Sequence, residues 1–197
     1  LKFMQVFRNL MDAIWINVLM VVTSIPIVTV GAAITAAHDA NRRALQGEAG
    51  GVTRNYFKAF RANFAESTAL WAVFGITGAA LAYAWVVLQI TPLLVPKIGL
   101  TLVWIIGFEW VFALQARFEN MVGRTLANAF VFGISHILLT VGMIVLDAIW
   151  VGLLAACWFL FPQGLFLLVV MGYGTMILCH IPLLERGFAQ YLKSGEE

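Results

Sequence analysis

Residues 138–160 read LLTVGMIVLDAIWVGLLAACWFL, with Asp147 as the sole charge. A helix of about 20 apolar residues matches a hydrocarbon core of roughly 30 Å. Four further stretches have the same character, at about 10–37, 66–90, 98–116 and 165–184. Hydrophobic residues make up 62% of the 197-residue chain and charged residues 11%, against about 45–50% and about 25% in ordinary globular proteins. A water-soluble domain has nowhere to hide that much apolar surface, so the natural solvent is lipid. The predicted fold class is all-α: a single polytopic membrane bundle of about five transmembrane helices, with interfacial amphipathic helices on its cytoplasmic side.

The stretch 10–37 is interrupted near its start by Asp12 and Asn17 and contains Pro26. It is expected to form one kinked span, with Thr23 and Ser24 satisfying the backbone groups that proline frees. Thr91-Pro92 ends the second span, and Pro162-Gln163-Gly164 turns the chain between the fourth and fifth. The fourth crossing is placed at 138–160 because 125–161 is too long for one passage at 1.5 Å per residue. The sequence opens at Leu1, so a short N-terminal piece is expected to precede it. The first apolar run is too long, and lacks the small-residue site, for a cleavable signal peptide.

Lysine and arginine set the expected orientation. With five spans, Arg42, Arg43, Arg54, Lys58, Arg61, Arg117, Arg124, Arg186 and Lys193 share one side. Lys2, Arg8 and Lys97 share the other, nine against three. This count predicts an outer N-terminus and a cytoplasmic C-terminus in a bacterial cell membrane, the alternative being that Lys2 and Arg8 mark a cytoplasmic amphipathic start. The net charge of +2 is too small to point to a nucleic-acid partner. Cys157 and Cys179 lie in apolar runs without CxxC spacing and read as small packed side chains.

Two polar segments are candidates for contacts. In TRNYFKAFRANF (53–64), Phe57, Phe60 and Phe64 form one helical stripe, and Arg54, Lys58 and Arg61 a second beside it. Such a helix lies flat with aromatics in the acyl boundary and cations at the phosphates, or docks into a neighbouring subunit. In ARFENMVGRTLANAF (116–130), Arg117, Asn120, Arg124 and Asn128 are expected on one helical face, either solvated or turned to a partner. Within the spans, Glu109 lies about 12 Å deeper than Arg117 along a helix. Asp147 falls inside span four, His136 at its entry and His180 near the end of span five. Ionisable groups in lipid are costly, so each reads as interhelical glue or as part of an ion or substrate path.

No Walker A loop or HExxH is present. Gly133-Ile134-Ser135-His136 lacks the second glycine of a nucleophile elbow and sits in a helical run. No enzyme activity, metal or cofactor is expected from these patterns.

The run NVLMVVTSIPIVTVGAAITA (17–36) resembles the first helix of the YesL-like family of bacterial integral membrane proteins. Three further blocks resemble it in order: Phe57-x-x-Phe60-x-x-Asn63-Phe64; Ala116-Arg117-Phe118-Glu119 followed by Thr125-x-x-Asn128-Ala129; and His136. Together they cover nearly the whole chain. Met20 stands where tryptophan is usual, and Glu109 and Asp147 fall outside the family pattern. The resemblance implies a place beside oligosaccharide ABC importers, some of which require such a component, and it carries over no catalytic residue. The expected function is therefore a non-catalytic accessory transmembrane subunit packing on the importer's permease subunits. Gly75, Gly78 and Ala79 would offer a small-residue face on span two. The importer-permease coupling loop is not found, so the permease role itself is not expected. The alternative is a small stand-alone transporter or channel, oligomeric because five spans cannot form two equal halves, with Glu109, Asp147 or His136 along its path.

Overall fold

The computed structural model describes residues 2–48, 50–118 and 120–193, apart from the side chains of Lys2, Gln190, Leu192 and Lys193. Glu119, part of one family-like block, lies outside the described residues. The described residues are mostly helical, without a strand: α1 (Lys2–Thr23), α2 (Val30–Gln46), α3 (Val52–Ala62), α4 (Phe64–Val86), α5 (Leu94–Arg117), α6 (Val122–Ser135), α7 (Ile137–Leu160) and α8 (Gly164–Lys193). Five stretches are long and apolar enough to cross a membrane: Phe3–Thr23, Phe64–Val86, Thr91–Arg117, Ile137–Leu160 and Gly164–Ala189.

The stretch 10–37 is two helices rather than one kinked span. Pro26 has no N–H to continue α1 and takes an extended conformation. The Thr29 hydroxyl donates to the carbonyls of Thr23 and Pro26, closing the turn. The chain then reverses into α2, which is not among the five candidate spans. Every residue from Gly31 to Asn41 is buried, and α2 packs against α1, α3, α4, α5 and α8. Its alanines explain how one helix can touch five others, since small side chains let backbones approach closely. The tightest approach is at Gly31, where a Cβ would lie 2.2 Å from the Ser67 carbonyl oxygen and 2.6 Å from Trp71 Cβ. One turn on, Ser67 Oγ donates to Thr35 Oγ1 at 2.8 Å. Gly47, at φ 69°, ends α2 in a left-handed cap.

The long helices define two poles. At one, α4 begins and α5 ends, joined by the Gln115 Nε2 to Asn63 Oδ1 bond of 3.3 Å. At the other, Lys97 in the first turn of α5 donates to the Leu88 carbonyl at 2.8 Å and lies 4.9 Å over the Trp85 ring. This cation answers the carbonyl end of α4, a favourable place for positive charge. Arg8 and Asp12 of α1 share a cavity with Ala44, Gly47, Glu48 and Asn55, so the start of α1 lies beside the end of α2. With five spans, Arg8 would lie on the side opposite Arg42 and Arg43. The short reversal at Pro26 brings Arg8 back beside their loop instead.

The surfaces of the long helices differ. α5 buries Gly107 and the run Glu109–Gln115 together with Lys97, whereas α4 buries only Ser67, Leu70 and Phe74, and α7 only Thr140 and Met143. The remainder of α4 and α7 is partly or fully exposed and largely apolar, Glu66 and Asp147 being its charged residues.

Candidate functional site

Glu109 of α5, Asp147 of α7 and His180 of α8 converge inside the bundle. One ligand atom from each lies within 4.8 Å of the other two. His180 Nε2 stands 3.3 Å from Asp147 Oδ1, yet neither atom makes an aligned hydrogen bond, and Glu109 Oε2 has no hydrogen-bond partner either. His180 is 1% exposed and Glu109 7%, while Asp147 is half-buried. Each residue comes from a different helix, so packing alone builds this cluster. His136 is not part of it. That residue breaks the chain between α6 and α7, and its ring stacks with Phe132 and lies near Trp110 and Tyr191.

One helical turn toward the pole where α5 ends, a cavity of about 20 Å³ opens between α2, α5 and α8. Its lining includes His38, Arg42, Ala113, Arg117, Leu184 and Glu185. Ala113 follows Glu109 by four residues and Leu184 follows His180 by four, so both stand directly poleward of the cluster. His38 is buried, and its Nδ1 has no partner. At the mouth the charges are matched. Arg117 pairs with Glu185 at 3.6 Å. Arg42 and Arg43 each reach Asp39 at 2.7 Å, and Arg43 also reaches Glu48 at 2.7 Å.

The expected single face of Arg117, Asn120, Arg124 and Asn128 does not form. Phe118 and Met121 are extended and separate α5 from α6. Arg117 thus belongs to the cavity mouth, Asn120 lines a second cavity with Asn63 and Gln115, and Arg124 is exposed on α6. The reason is that Thr125 Oγ1 reaches back to Gln115 Oε1 at 2.8 Å, folding α6 against α5.

On α3, Arg54, Phe57, Lys58, Arg61 and Phe64 at its exit are exposed, and Phe60 is half-buried against Tyr56 and Phe64. The helix is anchored by Tyr56 and Ala59 rather than by the aromatic stripe. Tyr56 Oη lies 2.6 Å from Thr23 Oγ1, and burial, partly offset by that bond, pushes its phenol up to about 12. The small-residue face expected on α4 is partly consumed inside the chain. A Cβ on Gly78 would lie 2.9 Å from Trp104 Cζ2.

Asn17, an interruption of the apolar run in the sequence, is a central contact in the fold. Its Nδ2 donates to the carbonyls of Val169 and Val170 at 3.0 Å each, and its Oδ1 accepts from the Gly174 N–H at 3.1 Å. The available signal was an amide within an apolar run, which must find partners when buried.

Fold and site together define an all-α, multi-pass membrane protein with a buried acid–imidazole cluster. Residues 13–85 match a family described as "Protein of unknown function, DUF624". No curated protein and no solved structure matches the chain. The matched stretch runs from within α1 to the last turn of α4, so Glu109, Asp147 and His180 all lie beyond it.

Proposed function

We propose that this protein is a non-catalytic accessory subunit of the bacterial cell membrane. In this reading it packs laterally on the permease of a carbohydrate (oligosaccharide) ABC importer and supports the importer's assembly or activity. The resemblance in the blocks at 17–36 and 57–64 supplies the transport class. The observation that carries the lateral contact is on α4. Ala65, Ala69, Ala72 and Ala79 are all exposed, and their spacing of three, four and seven residues places them along one seam. Association of helices in lipid rests on close packing through small residues, and this seam leaves room for it. The pole bearing Arg42, Arg43 and Arg117 faces the cytoplasm, with the start of α1 and the end of α8 on that side.

Purification in mild detergent, followed by identification of the bound proteins, tests this reading. A permease is expected to co-purify, and deletion of the protein is expected to abolish uptake of the sugar. Ala72→Leu and Ala79→Leu should release the partner while leaving the chain folded. Isolation as a lone monomer with uptake intact in the deletion strain overturns the proposal.

The buried cluster favours a second reading, a stand-alone oligomeric transporter or channel using Glu109 and Asp147. Flux through proteoliposomes containing only this chain, abolished by Glu109→Gln, would select it over the first.

A further inference from the structure

Three ionisable groups on three helices share one buried place, and their facing atoms are unsatisfied. Leaving such atoms without partners is costly, most of all when they carry charge. A proton held between Glu109 and Asp147, with His180 donating to the second Asp147 oxygen, satisfies the three, but it requires the unaligned His180–Asp147 contact to realign. One divalent cation satisfies all three atoms at once, and its charge cancels the two carboxylates, so the assembled site is neutral where a net charge is most expensive.

The geometry agrees with this. Two ligands held at about 2.0–2.1 Å across a tetrahedral angle stand roughly 3.3 Å apart. His180 Nε2 and Asp147 Oδ1 stand 3.3 Å apart. Glu109 presents an oxygen within 4.8 Å of both. An imidazole with two carboxylates suits the borderline metals, Zn²⁺, Fe²⁺ and Mn²⁺, better than Mg²⁺ or Ca²⁺, which prefer all-oxygen shells. The cavity beside His38 lies one turn away and is large enough for one water molecule.

We infer that Glu109, Asp147 and His180 form a site for a divalent cation of the zinc–iron–manganese class, tying α5, α7 and α8 together in the middle of the bundle. The site rests on neither reading of function above.

The test is equilibrium binding by the full chain, purified in mild detergent, stripped with chelator and titrated with Zn²⁺ and with Mn²⁺. One equivalent per chain is expected for at least one of the two ions, with a rise in the thermal midpoint on loading. Glu109→Gln, Asp147→Asn and His180→Gln should each weaken binding on the order of 100-fold or more, the scale known for supporting residues of metal sites. Absence of saturable binding by the wild type, or equal binding by all three variants, overturns the assignment. Should the variants not fold, Co²⁺ added to the wild type decides the matter. Ligand-field bands of a four-coordinate nitrogen–oxygen site are expected. A spectrum of hydrated Co²⁺, or a sulfur charge-transfer band placing the ion on Cys157 or Cys179, overturns it.

Discussion

At the scale of single residues, the most consequential contact is between Asn17 and Gly172. α8 breaks at Gly172, which has φ 53°, a left-handed conformation open to glycine and strained for other residues. The break exposes backbone groups inside an apolar bundle, where water cannot answer them. The Asn17 amide fills the notch and makes bonds to Val169, Val170 and Gly174; a Cβ at residue 172 would lie 2.1 Å from its Oδ1. Asn17→Leu should therefore destabilise the fold by about 2–4 kcal/mol, the cost of leaving two or three buried backbone groups unmade. In a detergent-solubilised thermal melt this is a fall of roughly 5–15 °C, and an unchanged midpoint would refute the clamp. Gly172→Ala should fall in the same direction.

At the scale of helices, apolar runs identify the long elements but not what faces them. The stretch 138–160 is legible because lipid or protein can equally cover its exposed apolar residues. The stretch 10–37 is misleading, since an Ala/Gly run reads the same whether it meets lipid or other helices. Here residues 31–41 meet other helices on all sides. His38, Asp39 and Asn41 carry the missing signal, for a helix whose polar groups begin midway is better served against other helices than in oil. Glu109 was conspicuous in the sequence as a carboxylate in an apolar run. Its companions were not connected to it, because Asp147 and His180 reach it only through tertiary packing across tens of residues. The same limit explains Gly78. Glycine spacing marks a close approach without naming the neighbour, and the neighbour is Trp104, whose Nε1 donates to the Phe74 carbonyl and to Thr77 Oγ1 at 3.1 Å each. Gly78→Leu is expected to part α4 from α5, shifting tryptophan fluorescence and broadening the size-exclusion peak. Ala79→Leu, one residue on and exposed, should do neither. If both behave alike, the assignment of an inner and an outer face to α4 is wrong.

At the scale of the whole molecule, the distribution of charge is more lopsided than a five-span reading allowed. Reversal at Pro26 places Arg8 beside Gly47 and Glu48, and α3 and α6 hold their cations near the ends of α2 and α5. Among the described residues, Lys97 is the basic side chain left at the opposite pole. Its charge is spent on the Leu88 and Ala84 carbonyls and on the face of Trp85. Lys97 stands alone there, and the excess of lysine and arginine at the other pole sets the orientation. These cations put the start of α1, the α2–α3 loop and the end of α8 on one side, and the turn between α4 and α5 on the other. Single cysteines test this in a Cys157→Ser, Cys179→Ser background. Arg8→Cys, Gln46→Cys and Gln89→Cys each replace an exposed residue. In intact cells, a membrane-impermeant maleimide is expected to label Gln89→Cys alone, and permeabilisation should expose the other two. Labelling of Arg8→Cys but not Gln46→Cys from outside would separate the first helix from the arginine loop and restore the outer N-terminus. Labelling of both from outside would invert the protein as a unit while keeping its packing intact.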